Sequence, residues 1–186
     1  MANDATKVSV GKPMIGGAIF RAALGTVLPT DATTKLAETF KCLGYVSDEG
    51  VTNSNNPESD EIKAWGGDIV TSLQTAKPDK WKFKLLESLN TEVHKTVYGD
   101  TNVTGDLDTG VTIKANSGEQ IACSYVIDMI LKGQYLKRIV IPNATIAELG
   151  DIVYVDGEAI GYDVTLYAVP DAEGNTHYEY IKKKTA

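Results

Sequence analysis

The residues able to do chemistry are few and far apart in the chain. There are two histidines, His94 and His177, and two cysteines, Cys42 and Cys123. Neither histidine has a Cys, Asp or Glu at the spacing of a zinc motif, so we interpret both as surface residues. Two cysteines in apolar surroundings are typical of small buried hydrophobic residues rather than of a disulfide framework. These residues predict no metal, no cofactor and no catalytic thiol.

The string from Asp100 to Asp108 is the nearest approach to a metal motif. It begins like a calcium loop, but the twelfth position, where a bidentate Glu is needed, is Val111. A Gly/Asp turn between a helix and a strand explains the string better. The remaining acidic side chains lie in polar sequence and indicate a solvated surface rather than an acid–base pair: Asp48, Glu49, Glu58, Asp60 and Glu61. We therefore predict that the protein is not an enzyme.

Composition and charge limit the classes of protein to which the chain can belong. The chain has 186 residues, 42% of them hydrophobic, and a formal net charge of −7. An acidic protein is poorly suited to hold DNA or an anionic membrane. We find no signal-peptide layout and no membrane span, and we expect synthesis in a cytosol. We predict one domain over residues 15–186, preceded by a flexible arm over residues 1–14.

Alternating apolar and polar residues predict a mainly β protein. The clearest case is residues 80–85, where Trp81, Phe83 and Leu85 alternate with lysines. Further strands are predicted over residues 18–24, 69–75, 111–113, 119–132, 135–141, 159–169 and 176–183, with Pro142 ending the strand before it. The pattern predicts an antiparallel β-sandwich or barrel with one or two short flanking α-helices.

Two segments have helical spacing. Leu36, Phe40 and Leu43 predict a short helix that begins near Thr33 or Thr34 and ends at Gly44. Residues 88–99 predict a second helix, capped by Ser88 or Asn90 and closed by Gly99, with a stripe of Leu89, Val93 and Val97. Residues 145–149 allow a short helical turn.

The predicted strand over residues 119–132 is apolar on both of its faces. This pattern fits a central strand that is covered on both sides within the chain. It equally fits a strand that has one face covered by a partner subunit.

The remaining elements are arranged around residues 43–70. This stretch is a long polar loop with a large aromatic residue near each end, Tyr45 and Trp65. Loops of this length inside a domain are uncommon and are usually disordered or functional. One interpretation is a mobile surface loop, and the other is a segment that becomes ordered only against another subunit. Trp65 is itself open to two interpretations, as a core residue or as an interface residue.

The strings LGYVSDEGVT, IKAWGG and DIVTS within this stretch resemble the major tail protein, or tail tube protein, of bacteriophages with long, non-contractile tails. The C-terminal string YDVTLYAVPDAEGNTHYEYI is similar to the closing hairpin of the same family. The resemblance covers residues 14–181, and its most specific part is residues 43–70.

The resemblance implies a structural virion protein whose hexameric rings stack into a tube, with DNA passing through the lumen during ejection. It implies self-assembly and contacts with other tail proteins, namely the tape measure, terminator and baseplate. It places the protein in the virion tail, and in the host cytoplasm during assembly. An acidic chain agrees with a conduit, because like charge lets DNA slide. The alternative is a monomeric β-sandwich that binds glycan or protein through its loops.

The candidate residues for self-assembly come from the polar loop and from the lysine-rich strand after it. Acidic loop residues facing the lysines of a neighbouring subunit would set the register of docking. The same loop folding back on the lysines of its own subunit is the alternative. The candidates are Tyr45, Val46, Asp48, Glu49, Val51, Asp60, Glu61, Trp65, Lys80, Lys82 and Lys84.

Overall fold

The computed structural model describes residues 2–184 of the chain, so the outer bounds of the two predicted segments, Met1 and Ala186, lie outside the described residues. The described residues form thirteen strands and one α-helix, α1 (Thr91–Tyr98). The strands are β1 (Lys12–Pro13), β2 (Ile19–Ala23), β3 (Lys41–Cys42), β4 (Val46–Ser54), β5 (Glu58–Lys63), β6 (Ile69–Ala76), β7 (Asp79–Leu85), β8 (Val103–Thr104), β9 (Thr112–Ile113), β10 (Cys123–Leu131), β11 (Tyr135–Leu149), β12 (Tyr162–Ala168) and β13 (Tyr178–Lys183). The predicted mainly β, antiparallel fold with a flanking helix is confirmed.

Nine of the strands form one antiparallel sheet in the order β3-β2-β10-β11-β12-β7-β4, with β1 added to β10 and β13 added to β11. The main hydrophobic core collects side chains from both halves of this sheet and from α1, including Ile127, Ile141, Phe83, Leu166 and Val93. The alternation in β7 is as predicted, because Trp81, Phe83 and Leu85 are all buried.

Strand β11 is longer than predicted, and the prediction that Pro142 ends it is wrong. On one side, β11 pairs with β13 up to Val140 and with β12 from Ala144 onwards. Pro142 therefore lies between two partners, where the ladder does not need its missing N–H, and the pairing with β10 is irregular at the same level. The carbonyl of Pro142 accepts a hydrogen bond from Ser124 Oγ at 2.7 Å. Residues 145–149 belong to β11, so the helical turn suggested there is also wrong.

Helix α1 is confirmed together with its caps. The Asn90 side chain accepts a hydrogen bond from the Glu92 amide at 3.0 Å, and Gly99 ends the helix with φ 93°. Val93 and Val97 are buried as predicted. Leu89 is 70% exposed, because it precedes the first helical residue and does not belong to the apolar stripe.

The helix predicted between Thr33 and Gly44 is wrong, since this part of the described chain contains only turns and β3. The guanidinium of Arg138 donates to the carbonyls of Asp31, at 3.1 Å, and Thr34, at 2.7 Å. The Thr34 carbonyl would otherwise accept a hydrogen bond within the predicted helix. Phe40 still reaches the interior, where it is buried against Ala22. A tertiary contact therefore replaces local helical hydrogen bonding.

Strand β10 is covered on both of its faces by this same chain. Tyr125 and Ile127 point into the main core, while Val126 joins a second cluster with Phe40 and Val140. The interpretation of a central strand covered on both sides is confirmed for residues 123–128, which are all buried. Both faces of this part are filled and are not available to a partner subunit, whereas Met129, Ile130 and Leu131 are only half-buried.

Candidate self-assembly site

The predicted polar loop is replaced by β4, which joins the main sheet, and by a two-stranded hairpin made of β5 and β6. We call residues 58–76 the arm. Within the described chain β5 pairs only with β6, from Glu58 opposite Ala76 to Lys63 opposite Ile69. Every side chain in both strands is exposed. The arm therefore makes no contribution to the core of its own subunit.

The arm exposes several large apolar side chains to solvent. Trp65, in the turn, is fully exposed, and Ile69 and Val70 beside it are 58% and 66% exposed. Ile62 and Leu73 share one face, because Ile62 is opposite Thr71 and Asp60 is opposite Leu73. An isolated two-stranded hairpin is at best marginally stable in water, and contiguous exposed apolar surface marks an interaction site. The interpretation of Trp65 as a core residue of its own subunit is wrong.

The charge on the arm is predominantly acidic. It carries Glu58, Asp60, Glu61 and Asp68 against the single cation Lys63, whose Nζ lies 3.6 Å from Glu61 Oε2. These side chains are exposed, so each pair contributes little to stability on its own. Their summed charge nevertheless favours a basic partner surface.

A buried carboxylate fixes the base of the arm. Asp79, the first residue of β7, has a fully buried side chain that accepts hydrogen bonds from Asn53 Nδ2 at 2.6 Å, Thr176 Oγ1 at 2.6 Å and His177 Nδ1 at 2.5 Å. Asn53 lies near the end of β4, so Asn53 and Asp79 hold the two legs of the arm together. The contacts with Thr176 and His177 attach this base to the segment leading into β13. We call these four residues the base cluster.

The base cluster lowers the pKa of Asp79. Burial opposes ionisation of the carboxyl, but the hydrogen bonds from His177, Thr176 and Asn53 outweigh it and hold the pKa below its ordinary value. The imidazole of His177 also packs edge-on against Trp81, with ring centroids 5.1 Å apart. The prediction that His177 is a plain surface residue is therefore wrong. The sequence gives no signal of this contact, because the two residues are 98 positions apart.

His94 was likewise predicted to lie on the surface, and it is buried. Its Nε2 lies 2.8 Å from the Ser88 carbonyl, and its ring packs edge-on against Tyr162. In the Asp-rich string, Asp100 binds Arg21 through two contacts of 2.8 Å, and Asp106 accepts the amides of Asp108 and Thr109. No group of three or more His, Cys, Asp or Glu is arranged for a metal within residues 2–184.

The lysines of β7 lie on its polar face as predicted. Lys82 is exposed, Lys80 and Lys84 are half-buried, and Lys84 Nζ lies 3.9 Å from Asp163. Strand β4 pairs with β7 in the same subunit, with Thr52 opposite Lys82. The acidic part of the predicted loop is therefore divided between two different environments.

Glu49 lines a depression together with Lys82 and Lys84, at the irregularity in β4 between Val46 and Val51 that also contains Asp48. Asp60 and Glu61 belong to the arm, and no ion pair links them to the β7 lysines among the described residues. Of the four candidate acids, the structure brings Glu49 to the lysines, leaves Asp48 beside it in the irregularity of β4, and places Asp60 and Glu61 on a separate hairpin.

The aliphatic and aromatic candidates also fall into two groups. Val46 and Val51 are half-buried and pack against the main core. Tyr45 is 77% exposed, although its amide donates to Glu87 Oε1 at 3.1 Å. Tyr45 and Trp65 are therefore free to contact a partner, whereas the two valines mainly stabilise the subunit.

The path of the sheet ends at β3 and β4, and β1 and β13 are added beside β10 and β11, so each of these four strands has a single partner within the described chain. Strand β4 pairs only with β7, and β13 pairs only with β11, within the described chain. Each strand therefore presents one edge of backbone N–H and C=O groups. Such an edge is able to pair with another chain.

The family model described as "Phage tail tube protein" matches residues 1–186. The chain belongs to the phage tail tube proteins. This confirms the family suggested by residues 43–70, and it makes the protein a structural component of the phage tail. The exposed arm and the open strand edges are consequently candidate contacts of a tail tube protein with itself and with other tail proteins.

No curated protein matches the chain. Within residues 2–184, no helix is long and apolar enough to cross a membrane.

Proposed function

We propose that this tail tube protein assembles into hexameric rings that stack along the tail axis, and that the lumen of the stack conducts DNA during ejection. The arm is the observation that carries the proposal. Nineteen consecutive residues, 58–76, form a hairpin with apolar residues on its tip and face, yet the strands bury nothing in their own subunit. A second subunit provides the surface that this hairpin lacks.

Two kinds of contact are needed to build a stacked tube: one that closes the ring and one that repeats along the axis. The open edges of β4 and β13 are suited to one of these contacts and the arm is suited to the other. We propose Tyr45, Trp65, Asp60 and Glu61 as direct interface residues. The lysines of β7, with Glu49 beside Lys82 and Lys84, form a second charged surface near the β4 edge, to which we also assign Asp48 of the same strand. Val46 and Val51 of this strand pack against the main core.

The remaining parts of the proposal concern organisation and location. Residues 15–186 act as one domain, and residues 1–14 act as a flexible N-terminal segment whose last residues are attached to the sheet where Lys12 and Pro13 pair with β10. The tape measure, terminator and baseplate proteins are further partners, and DNA is a transient passenger. Assembly takes place in the host cytoplasm, and no step requires catalysis.

Sedimentation velocity across a concentration series, followed by negative-stain microscopy, tests the proposal. We expect rings or tubes that sediment far ahead of the monomer. The control is a chain in which residues 58–76 are replaced by a short Gly/Ser turn, which we expect to remain folded and to stop at monomers or isolated rings. A parent protein that stays monomeric at every concentration, even with tail assembly factors, would instead favour the monomeric binding module.

A further inference from the structure

Strands β10, β11 and β13 share one face of the sheet. Part of this face is buried in the main core, and the rest extends past the core and is exposed. Residues at every second position point to the same side, so Ile127, Met129 and Leu131 share a face of β10. Their cross-strand partners Ile139, Lys137 and Tyr135 on β11 share that face, as do Glu179, Ile181 and Lys183 on β13. Towards the turn between β10 and β11, this side of the sheet forms a surface that we call the open end: Met129, Leu131, Tyr135, Lys137, Ile181 and Lys183.

Burial falls steadily along this surface. Ile127 and Ile139 are 1% and 3% exposed, whereas Met129 and Leu131 are half-buried. Tyr135 is 41% exposed and Ile181 is 58% exposed. The apolar character of the core side therefore persists after its cover within the subunit has ended.

The charge on and around the open end is positive. Lys137 and Lys183 lie on it, and Lys137 is partly neutralised by Glu179 at 2.8 Å. Lys132 and Lys184 flank it, since the Lys184 amide donates to the carbonyl of Gln134 in the turn. In a chain with net charge −7, this is a local concentration of lysine. It has the sign opposite to that of the arm.

We propose that the open end receives the arm of a second copy of this chain. The proposal rests on the proposed self-assembly and names the surface that accepts the hairpin. Ile62 and Leu73 on one face of the arm provide apolar area for Tyr135 and Ile181, and Asp60 on the same face provides the complement to Lys183. The occupant comes from another copy, because within the described residues the arm pairs with no other strand of its own subunit and its strands are exposed throughout.

Paired cysteines test the contact directly. A mixture of the Leu73→Cys and Ile181→Cys proteins, oxidised during assembly, should give a disulfide-linked dimer that neither protein gives alone. Lys182→Cys is the matched control, because Lys182 is adjacent in sequence but points to the opposite side of the sheet, towards Thr33. A link of equal yield through residue 182 would overturn the proposal. So would an intrachain link in the Leu73→Cys, Ile181→Cys double variant at high dilution, since that outcome means the arm folds back.

Charge reversal tests the same contact without a cross-link. Lys183→Glu should slow tube growth roughly tenfold at low salt, and adding Asp60→Lys to the same chain should restore part of the rate. Lys182→Glu should grow like the parent. If tubes form and Lys183→Glu also grows like the parent, the open end is not the receiving surface, although the proposed tube function stands. A parent that never associates overturns both proposals.

Discussion

Replacing Asp79 by Asn removes the charge at the centre of the base cluster and should destabilise the subunit. The side chain is fully buried and accepts three hydrogen bonds, from Asn53, Thr176 and His177. Hydrogen bonds to a charged group contribute about 1.5–3 kcal/mol each, and leaving buried donors unpaired adds a penalty of similar size. Asn retains one acceptor oxygen, so we expect Asp79→Asn to lose about 2–4 kcal/mol of unfolding free energy and Asp79→Ala to lose about 3–5 kcal/mol.

The pH dependence of the same variant gives an independent signature. The folded state lowers the pKa of Asp79, so its carboxylate contributes stability above the ordinary Asp pKa of about 3.9. That contribution is lost as pH falls through the lowered folded pKa. Urea unfolding between pH 7 and pH 3 should therefore show a steeper loss of stability in the parent than in Asp79→Asn. Taking the difference cancels the effect of other acids with lowered pKa, such as Asp100 and Asp171.

Amide hydrogen exchange shows whether the cluster also holds the arm. Asn53→Ala should raise exchange across residues 55–78 and leave α1 unchanged, because only the β4 leg loses its contact with Asp79. Ser59→Ala is the matched control within the arm. The reasoning is refuted if the unfolding free energy of Asp79→Asn at pH 7 lies within about 0.5 kcal/mol of the parent, the usual range of a surface change, and its pH slope equals that of the parent.

Three single substitutions test the exposure of Trp65, the buried ion pair of Arg138 and the helix cap Asn90. Trp65→Ala should leave the monomer melting curve within about 0.5 kcal/mol of the parent while tubes are lost by sedimentation, and a large loss of monomer stability would contradict the exposed position of Trp65. Arg138→Met leaves Asp128 buried without its 2.7 Å partner and should cost about 3–5 kcal/mol in urea unfolding, a result that a cost below 1 kcal/mol would disprove. Asn90→Ala should cost about 1 kcal/mol and lower helical circular dichroism modestly, whereas Asn90→Ser should recover most of the loss.

The elements that could be predicted from sequence are a strand with one buried and one solvated face, and a helix whose first and last turns are fixed by neighbouring residues. Strand β7 alternates Trp81, Phe83 and Leu85 with lysines because one face lies in the core and the other in water. Helix α1 could be predicted because its cap Asn90 and its terminator Gly99 act locally. In both cases the information lies within a few residues of the element that it specifies.

The failed predictions involve contacts between distant residues. Leu36 and Phe40 have helical spacing, but the carbonyls of Asp31 and Thr34 just before them accept hydrogen bonds from Arg138, which is at least 104 positions away in the sequence. Pro142 is tolerated within β11 only because two different strands meet beside it. The base cluster joins Asp79 to His177 across 98 positions, which no local pattern reveals.

The sequence predicts residues 58–68 as part of a polar loop, and that prediction fails for a different reason. A hairpin with solvent on both faces has no core side, so its sequence need not alternate, and β5 reads as polar throughout apart from Ile62. Strand β6 contains Ile69, Val70 and Leu73 and was predicted as a strand, yet its partner β5 was not. Only the pairing of the two, from Glu58 opposite Ala76, gives the functional element.

The base cluster and the exposed arm are connected through the free energy of ordering. A hairpin that pairs only with itself is marginally stable, so part of any docking energy is consumed in ordering it, at about 1–2 kcal/mol per residue for backbone that is not already fixed. Asp79 and Asn53 hold both legs at the root, which restricts the arm before it meets a partner and lowers that cost. An arm without the base cluster would carry the same apolar and acidic side chains but would sample a broader set of conformations before docking. For this reason we expect a buried carboxylate that contacts no other subunit to influence the rate at which the tube grows.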